Sequence, residues 1–326
     1  MIHEKELKKL RTIFSLIFLI SLGIISITLY IFTGIFQYKN IDDRDLKYWN
    51  YTEEKVIINT EEFILDGKEE VCWLMIHSYA STPGEMRELA TKVNNELGDK
   101  VYAPRLLGHG EVPSKLLSLE LNDWYKQIEE DYLEMVSKCD KINVVGSSFG
   151  AILSLKLAED YDLNRIFLMN LYLSSGPIKD KLIDIFSDSF VYLKKRKLAN
   201  INNIEGLRKH VAYWNFALIP VKHSKEFIDN VDKSLIKVEE DVLLIHSTKD
   251  SVSDLKSVIK VKDKIGSKNF EIIVFDESNH ILLADYNKEE TIEGIMFSSP
   301  EPILIQSYSE ENVIKGILEF EKLKRV

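Results

Sequence analysis

Cysteine is scarce in this 326-residue sequence, which contains only Cys72 and Cys139. Two cysteines cannot form a disulfide framework or a four-ligand zinc site, because both need more ligands at characteristic spacings. The strands predicted below place the two residues near the same end of neighbouring strands, so a single disulfide is compatible with an oxidising compartment. A buried free thiol is the more common state, and we expect both cysteines to be free.

A strongly basic surface is also lacking. The formal net charge is −10 at pH 7, and one short basic run, residues 194–197, is interpreted as a solvated helix face. Proteins that bind nucleic-acid phosphates need a concentrated basic surface. We therefore expect no nucleic-acid partner.

Charge is absent altogether from residues 13–36, which are mostly Ile, Leu and Phe. At about 1.5 Å rise per residue, a helix of this length reaches about 36 Å and can cross a hydrocarbon core of about 30 Å. A cleaved signal peptide is the alternative, but its apolar region usually has about 7 to 15 residues and ends at small residues. We predict an uncleaved transmembrane anchor within residues 1–37.

The orientation of this anchor is only weakly specified by the flanking basic residues. These are Lys5, Lys8, Lys9 and Arg11 before the span and Lys39, Arg44 and Lys47 after it. The slight excess before the span favours a cytoplasmic N-terminus and a large domain outside. Residues 38–60 are polar without a clear period and are predicted to form a juxtamembrane linker.

Residues 61–326 show short Val- and Ile-rich runs that alternate with helical patterns. Strands are predicted at 62–65, 71–77, 100–103, 141–145, 165–169, 242–246 and 270–275, with Asp66-Gly67 as the turn between the first two. This alternation predicts an α/β domain whose central sheet is mostly parallel and is flanked by helices. The fold class is therefore α/β, preceded by one membrane-spanning helix.

The first helix of this domain has clear terminal signals. Thr82 is predicted as its N-cap, Pro83 follows, Glu85 completes a capping box, and Gly98 lies beyond its end. The last helix is predicted to start near Ser307 or Ser309, with Ser307 and Glu310 as its capping box.

Two segments interrupt the alternation. Residues 171–240 are predicted to be a mostly helical cap over a pocket, and their aromatic residues are Phe186, Phe190, Tyr192, Tyr213, Trp214 and Phe216. Residues 288–308 contain two prolines and carry no functional prediction.

One motif follows the predicted strand 141–145 directly. It reads Gly146-Ser147-Ser148-Phe149-Gly150, and the residues after it are good helix formers. Strand, tight turn and helix are the context of a nucleophile elbow, and small residues let the strand and helix backbones pass closely. We interpret Ser148 as a nucleophile; a glycine-punctuated turn without a catalytic role is the alternative.

A serine hydroxyl needs a base and an orienting carboxylate. Asp250 follows the strand 242–246, and His280, which follows the strand 270–275, is the only histidine after it. The order Ser148, Asp250, His280 predicts a catalytic triad, with Asp254 and Asp276 as alternative acids. The attacked carbonyl becomes an oxyanion, for which we predict the backbone N–H groups of Phe149 and Tyr79 as donors.

The sequence resembles the small bacterial carboxylesterases and monoacylglycerol lipases of the α/β-hydrolase superfamily. The segments that carry the resemblance are the elbow motif, His77-Ser78-Tyr79, Gly108-His109-Gly110 and Asp123-Trp124. The resemblance implies the α/β-hydrolase fold, the same three triad residues and the same two oxyanion amides. Ser78 departs from the family's usual glycine, and a positive φ there would strain it.

We therefore expect a serine hydrolase that cleaves carboxylic esters, with lipid-like esters such as monoacylglycerols or lysophospholipids favoured by the aromatic cap and the anchor. An aminopeptidase or thioesterase with the same triad is the catalytic alternative. A non-catalytic binding protein on the same scaffold is the other. Nothing in the sequence implies a cofactor or a metal, because Gly108-His109-Gly110 has no second ligand at useful spacing.

Overall fold

The computed structural model describes residues 2–32, 44–188, 190–194, 213–276, 280, 282–283, 294–296, 303–307 and 309–325. Its strands are β1 Phe63–Leu65, β2 Lys68–Ile76, β3 Asp99–Ala103, β4 Ile142–Ser147, β5 Arg165–Met169, β6 Tyr192–Lys194, β7 Asn215–Ala217, β8 Asp241–Ser247, β9 Phe270–Asp276, β10 Gly294–Met296 and β11 Ile303–Ser307. Its α-helices are α1 Ile2–Phe32, α2 Arg44–Tyr48, α3 Arg87–Leu97, α4 Leu121–Val136, α5 Phe149–Asp160, α6 Pro177–Phe186, α7 Ile219–Ser234, α8 Leu255–Ile259 and α9 Glu310–Lys324.

The described strands form one large sheet in the order β1-β3-β2-β4-β5-β8-β9-β11-β10, while β6 and β7 form a separate antiparallel pair. All neighbours from β3 to β11 are parallel, and only β1 and β10 run antiparallel at the edges. Every residue of β4 and β5 is buried, as expected of central parallel strands covered by helices on both faces. The α/β prediction is confirmed.

Asp66-Gly67 does not join a hairpin. β1 pairs with β3, through Phe63 and Ala103, and not with β2. The reason is that β2 lies between β3 and β4 with both of its edges occupied, so β1 takes the outer edge of β3.

The segment 288–308 contains β10 and β11, which were not predicted. β11 adds to β9 in parallel, with Ile305 beside Val274, and β10 closes the edge. Both strands are short, and β11 is placed in the sheet by pairing with the more distant strand β9, which leaves little local pattern to recognise.

The predicted capping boxes of the two helices are wrong. Glu85 lies in a short 3₁₀ helix, Pro83–Met86, before α3, and its carboxylate binds Ser78 instead of the N-terminus of its helix. Ser307 belongs to β11, whereas Ser309, the other predicted start, caps α9 by accepting the Asn312 N–H at 3.0 Å. Gly98 ends α3 with φ of 75°, as predicted.

Cys72 and Cys139 form a disulfide bond, so the expectation of two free thiols is wrong. Cys72 is in β2, and Cys139 follows α4 just before β4, the strand beside β2. Their Cα atoms are 6.0 Å apart, a spacing that a disulfide can bridge.

α1 contains an apolar stretch, Arg11–Thr28, that is long enough to cross a membrane by length and composition, and its side chains are exposed. The end of the predicted span, residues 33–36, lies outside the described residues. Part of the predicted linker, by contrast, is folded: it contains α2, and Asp45 in that helix is buried.

The segment between β5 and β8, residues 170–240, leaves the sheet. We call its described part the cap; it contains α6, the β6–β7 pair and α7. Residues 195–212, including most of the basic run at 194–197, lie outside the described residues. Within its described part, two helices and one short strand pair alternate, so most of the regular structure is helical.

Candidate active site

Ser148 stands at the junction of β4 and α5. Its φ of 55° and ψ of −110° are unusual for a residue with a side chain. Such strain persists only where the surroundings enforce it, and here the Ser148 N–H donates to the Met169 carbonyl of the adjacent strand at 2.9 Å. The turn is therefore held from both sides by the sheet and the helix.

The two glycines of the motif are required by close backbone contact. A Cβ on Gly146 would lie 2.3 Å from the Gly150 carbonyl oxygen, and a Cβ on Gly150 would lie 2.3 Å from the Ile76 carbonyl oxygen. No side chain fits at either position without moving the strand or the helix.

Ser148, His280 and Asp250 form one hydrogen-bonded chain in the structure. His280 Nδ1 is 2.7 Å from Asp250 Oδ2, and His280 Nε2 is 2.7 Å from Ser148 Oγ. Because a carboxylate can only accept, Nδ1 carries the ring proton, and Nε2 is left to accept the hydroxyl proton of Ser148. This is the arrangement that a general base needs.

Asp250 is fully buried, yet its environment favours the ionised form. Its Oδ1 accepts the N–H groups of Val252 and Ser253 at 2.8 and 2.9 Å. Burial raises the pKa of Asp250, but the charge and hydrogen bond of His280, with His246 and the Ser253 amide, lower that pKa below its usual value. The alternative acids have other roles: Asp254 precedes α8, and Asp276 accepts the Thr248 hydroxyl at 2.7 Å.

The two predicted oxyanion amides lie at the ends of adjacent parallel strands. Tyr79 follows β2, Phe149 follows β4, and their rings stack with centroids 5.2 Å apart. In the described part of the chain neither N–H has a hydrogen-bond acceptor. Two unpaired donors at the ends of adjacent strands are suited to an oxyanion.

Comparison with known proteins shows that the chain is similar to lipases and esterases. The thermostable monoacylglycerol lipase of Bacillus sp. strain H-257 is 36% identical over 88 residues, 27% of this chain and only 35% of the lipase. The carboxylesterase of Bacillus subtilis strain 168 is 20% identical over 236 residues, 72% of this chain and 93% of that enzyme. A solved metagenome-derived lipolytic enzyme superposes with a TM-score of 0.64 at 24% identity, covering 72% of this chain and 94% of that one.

The chain has the α/β-hydrolase fold. No family model matches the sequence. The similarity to lipases and esterases supports ester hydrolysis as the type of chemistry, and the fold places Ser148 where an α/β-hydrolase carries its nucleophile.

The loop after β2 is held by a buried carboxylate. Glu85 Oε2 accepts both the Ser78 N–H at 2.9 Å and the Ser78 hydroxyl at 2.6 Å. Ser78 is not among the residues with positive φ; Ala80, with φ of 57°, takes the left-handed conformation instead. The condition for strain at Ser78, a positive φ, is therefore not met, and its hydroxyl adds a loop contact that glycine cannot make.

Two buried histidines support the same loop. His77 Nε2 accepts the Leu106 N–H at 3.2 Å, and His109 Nε2 accepts the Ala80 N–H at 3.1 Å. Both rings must be neutral to accept, and burial lowers the pKa of His77 to about 4 and that of His109 well below its usual value. The Gly108-His109-Gly110 segment thus has a structural role beside the active site.

The residues that sequence reasoning missed all act through long-range contacts. The Asn170 side-chain amide donates to the His280 carbonyl at 2.6 Å, and its carbonyl oxygen accepts the Ser247 N–H at 3.1 Å. Asn170 therefore ties the His280 backbone to β8. Asn170 belongs to no local motif that would reveal this role, Glu85 was predicted to cap its own helix, and His109 belongs to the Gly108-His109-Gly110 segment.

The cap leaves a cavity between α6 and α7. Its wall includes the apolar residues Ile183 and Val221 and the ring of Tyr172, which also contacts the Phe149 ring with centroids 5.2 Å apart. Carboxylates of α6 and α7 line it as well. Tyr172 thus contacts both this cavity and Phe149, the residue that follows Ser148.

Proposed function

We propose that this chain is a serine hydrolase that cleaves carboxylic esters through an acyl-Ser148 intermediate. The observation that carries the proposal is the pair of 2.7 Å contacts that links Ser148 Oγ to His280 and His280 to the buried carboxylate of Asp250. Similarity to a monoacylglycerol lipase and a carboxylesterase supports the same reaction.

The reaction follows from the atoms in the site. His280 Nε2 takes the Ser148 hydroxyl proton as Oγ bonds to the ester carbonyl carbon, and the N–H groups of Tyr79 and Phe149 bind the resulting oxyanion. Collapse breaks the ester C–O bond, and His280 returns its proton to the leaving alkoxide. A water molecule, deprotonated by His280, then releases the acid and restores Ser148.

The proposed substrates are lipid-like esters. One relative is named for its action on monoacylglycerols, and α1 would place the site near a source of such esters. Aromatic rings around the site, including Tyr79, Phe149 and Tyr172, offer apolar surface for an acyl chain.

We also propose the membrane topology and domain division. Residues 1–37 form an uncleaved anchor with a cytoplasmic N-terminus, and residues 61–326 form the hydrolase domain outside, with a cap at 171–240. The Cys72–Cys139 disulfide supports the outside location, because such bonds persist in oxidising compartments.

A substrate panel tests the proposal. Purified full-length protein is assayed with p-nitrophenyl esters of increasing acyl length, an acyl thioester and an aminoacyl anilide. Fastest turnover of an ester is expected, and activity should vanish in Ser148→Ala. Faster cleavage of the thioester or the anilide would contradict the ester assignment.

A further inference from the structure

The segment that follows the membrane anchor is bound to the cap by one buried carboxylate. Asp45 Oδ1 accepts the Trp214 N–H at 2.7 Å, and Asp45 Oδ2 accepts the Asn215 N–H at 2.8 Å and the Asn215 side-chain amide at 2.6 Å. These donors belong to β7 and the residue before it. Asp45 is thus 169 residues or more away in sequence from the groups it binds.

This carboxylate is satisfied by hydrogen bonds and not by a cation. Asp45 is 0% exposed, and none of the described Lys, Arg or His side chains forms an ion pair with it. Burying a carboxylate is costly unless hydrogen-bond donors surround it, so the three N–H groups fix where the Asp45 side chain lies. Burial raises the pKa of both Tyr51 and Tyr192 to about 12, and the nearby charge of Asp45 contributes to the increase.

The strand that Asp45 holds also contacts the oxyanion loop. The Ala217 carbonyl accepts the Tyr79 hydroxyl at 2.9 Å, and the Phe216 ring packs edge-on against the Tyr79 ring at 5.0 Å. One residue before the Asp45 contacts, the Tyr213 N–H donates to the Ala80 carbonyl at 3.2 Å. Residues 213–217 therefore contact both the Tyr79 side chain and the carbonyl group of the following residue, Ala80.

We infer that Asp45 is a positioning residue for the oxyanion loop, which acts by fixing the cap strand β7 against Tyr79. The inference rests on the proposed function, because it concerns the same oxyanion site. It also means that the juxtamembrane segment is part of the catalytic domain and not a passive tether. The anchor is thereby joined to the cap strand that supports Tyr79.

The test compares Asp45→Ala with Glu54→Ala, a matched control at an exposed carboxylate of the same segment. Full-length proteins in detergent are titrated with a fluorophosphonate to count active sites, and kcat and KM for p-nitrophenyl butyrate are then measured per titrated site. Since misplacement of a catalytic group by about 1 Å costs up to about 10²-fold, we expect Asp45→Ala to lower kcat by about tenfold. KM should change little, and Glu54→Ala should match the wild type.

A double-mutant cycle with Tyr79→Phe tests the route. This change removes the hydroxyl that binds Ala217 but keeps the Tyr79 backbone amide. If Asp45 acts through β7 and Tyr79, Asp45→Ala will lower kcat by a smaller factor in the Tyr79→Phe background than in the wild type. Equal factors in both backgrounds would overturn the proposed route.

A purely structural role gives a different result. In that case Asp45→Ala would lower the melting temperature and the titrated fraction but leave kcat per active site unchanged, and the inference would be wrong. If Asp45→Ala does not fold, Asp45→Asn replaces it, because the amide keeps the shape and one acceptor oxygen; an unchanged kcat would again contradict the inference. A wild type that is neither labelled nor active would overturn the proposed function as well.

Discussion

At the scale of single residues, the site depends on which groups are charged and which are neutral. Asp250 is surrounded by hydrogen bonds and charges that favour its ionised form, while burial lowers the pKa of His77 and His109 and at His77 outweighs the charge of Glu85. The ring of His246 is also fully buried; its Nε2 lies 3.8 Å from Asp250 Oδ2, but burial outweighs this charge and lowers the pKa of His246 to about 4. The local environments therefore favour the charged form of Asp250 and the neutral forms of His77, His109 and His246.

Replacing Asp250 by Asn should remove most activity. The amide would present a donor or a weaker acceptor to His280 Nδ1 and favour the wrong ring tautomer, for which a loss of about 10⁴-fold in kcat is typical. Steady-state kinetics of the purified variant measures this. Asp254→Asn is the control and should lose little; a larger loss in Asp254→Asn than in Asp250→Asn would move the acid to Asp254.

His246 should make stability depend on pH. Burial lowers its pKa to about 4, below the unfolded value of about 6.5. The contribution of neutral His246 to the free energy of unfolding is complete above about pH 6.5 and is lost as pH falls towards 4, because the unfolded chain binds a proton that the folded chain does not. Over that range the free energy of unfolding falls by about 1.4 kcal/mol per pH unit for one proton.

Urea unfolding of His246→Gln and the wild type between pH 7 and pH 5 tests this dependence. Burial raises the pKa of Asp131 to about 6, which acts in the opposite direction in both proteins. The comparison therefore isolates His246, and we expect a flatter slope in the variant. Parallel slopes would contradict a neutral buried His246.

At the scale of secondary-structure elements, the site is built where β2, β4, β8 and β9 end. The parallel order brings the loops after these strands to one edge of the sheet, so residues from distant parts of the chain meet there. The close passage of α5 over β2 fixes the angle at which Ser148 leaves the sheet.

Gly150→Ala should test that passage. Its Cβ would lie 2.3 Å from the Ile76 carbonyl oxygen and 2.8 Å from the His77 carbonyl oxygen, and neither backbone can move freely inside the sheet. We expect unfolding free energy to fall by about 3 kcal/mol, as for other overpacked sites. Gly23→Ala, where the new methyl meets nothing within 4 Å, is the control for thermal denaturation; equal melting temperatures would refute the close contact.

Much of this framework was predictable from the sequence, because local patterns determine it. The Val- and Ile-rich runs predicted the central strands, and Arg165–Met169 matches its prediction at both ends. The elbow motif and the order of Asp250 and His280 predicted which residues meet. The pairing of β1 with β3, the contact of Glu85 with Ser78 and the burial of Asp45 could not be predicted, because each depends on a partner brought close only by the folded sheet.

At the scale of the whole molecule, an apolar helix and a disulfide bond bear on the proposed location of the protein. α1 is exposed along its apolar stretch, whereas Cys72 and Cys139 join two parts of the large domain. The disulfide closes a loop between residues separated by 67 positions and restricts the unfolded chain.

Removing this bond should destabilise the domain. A Cys72→Ala/Cys139→Ala variant is expected to lose about 2 to 5 kcal/mol of unfolding free energy, the usual cost of losing a native disulfide. Urea unfolding measures the loss. As a separate check on the proposed location, thiols blocked at cell lysis should include neither cysteine, and two blockable thiols would contradict an oxidising compartment.

The central claim is that Ser148 is an activated nucleophile. Labelling by a fluorophosphonate probe tests it most directly, with the neighbouring Ser147→Ala as a matched control because Ser147 is also buried at the end of β4. We expect the probe to label the wild type and Ser147→Ala but not Ser148→Ala. Equal labelling of Ser148→Ala and the wild type would contradict it.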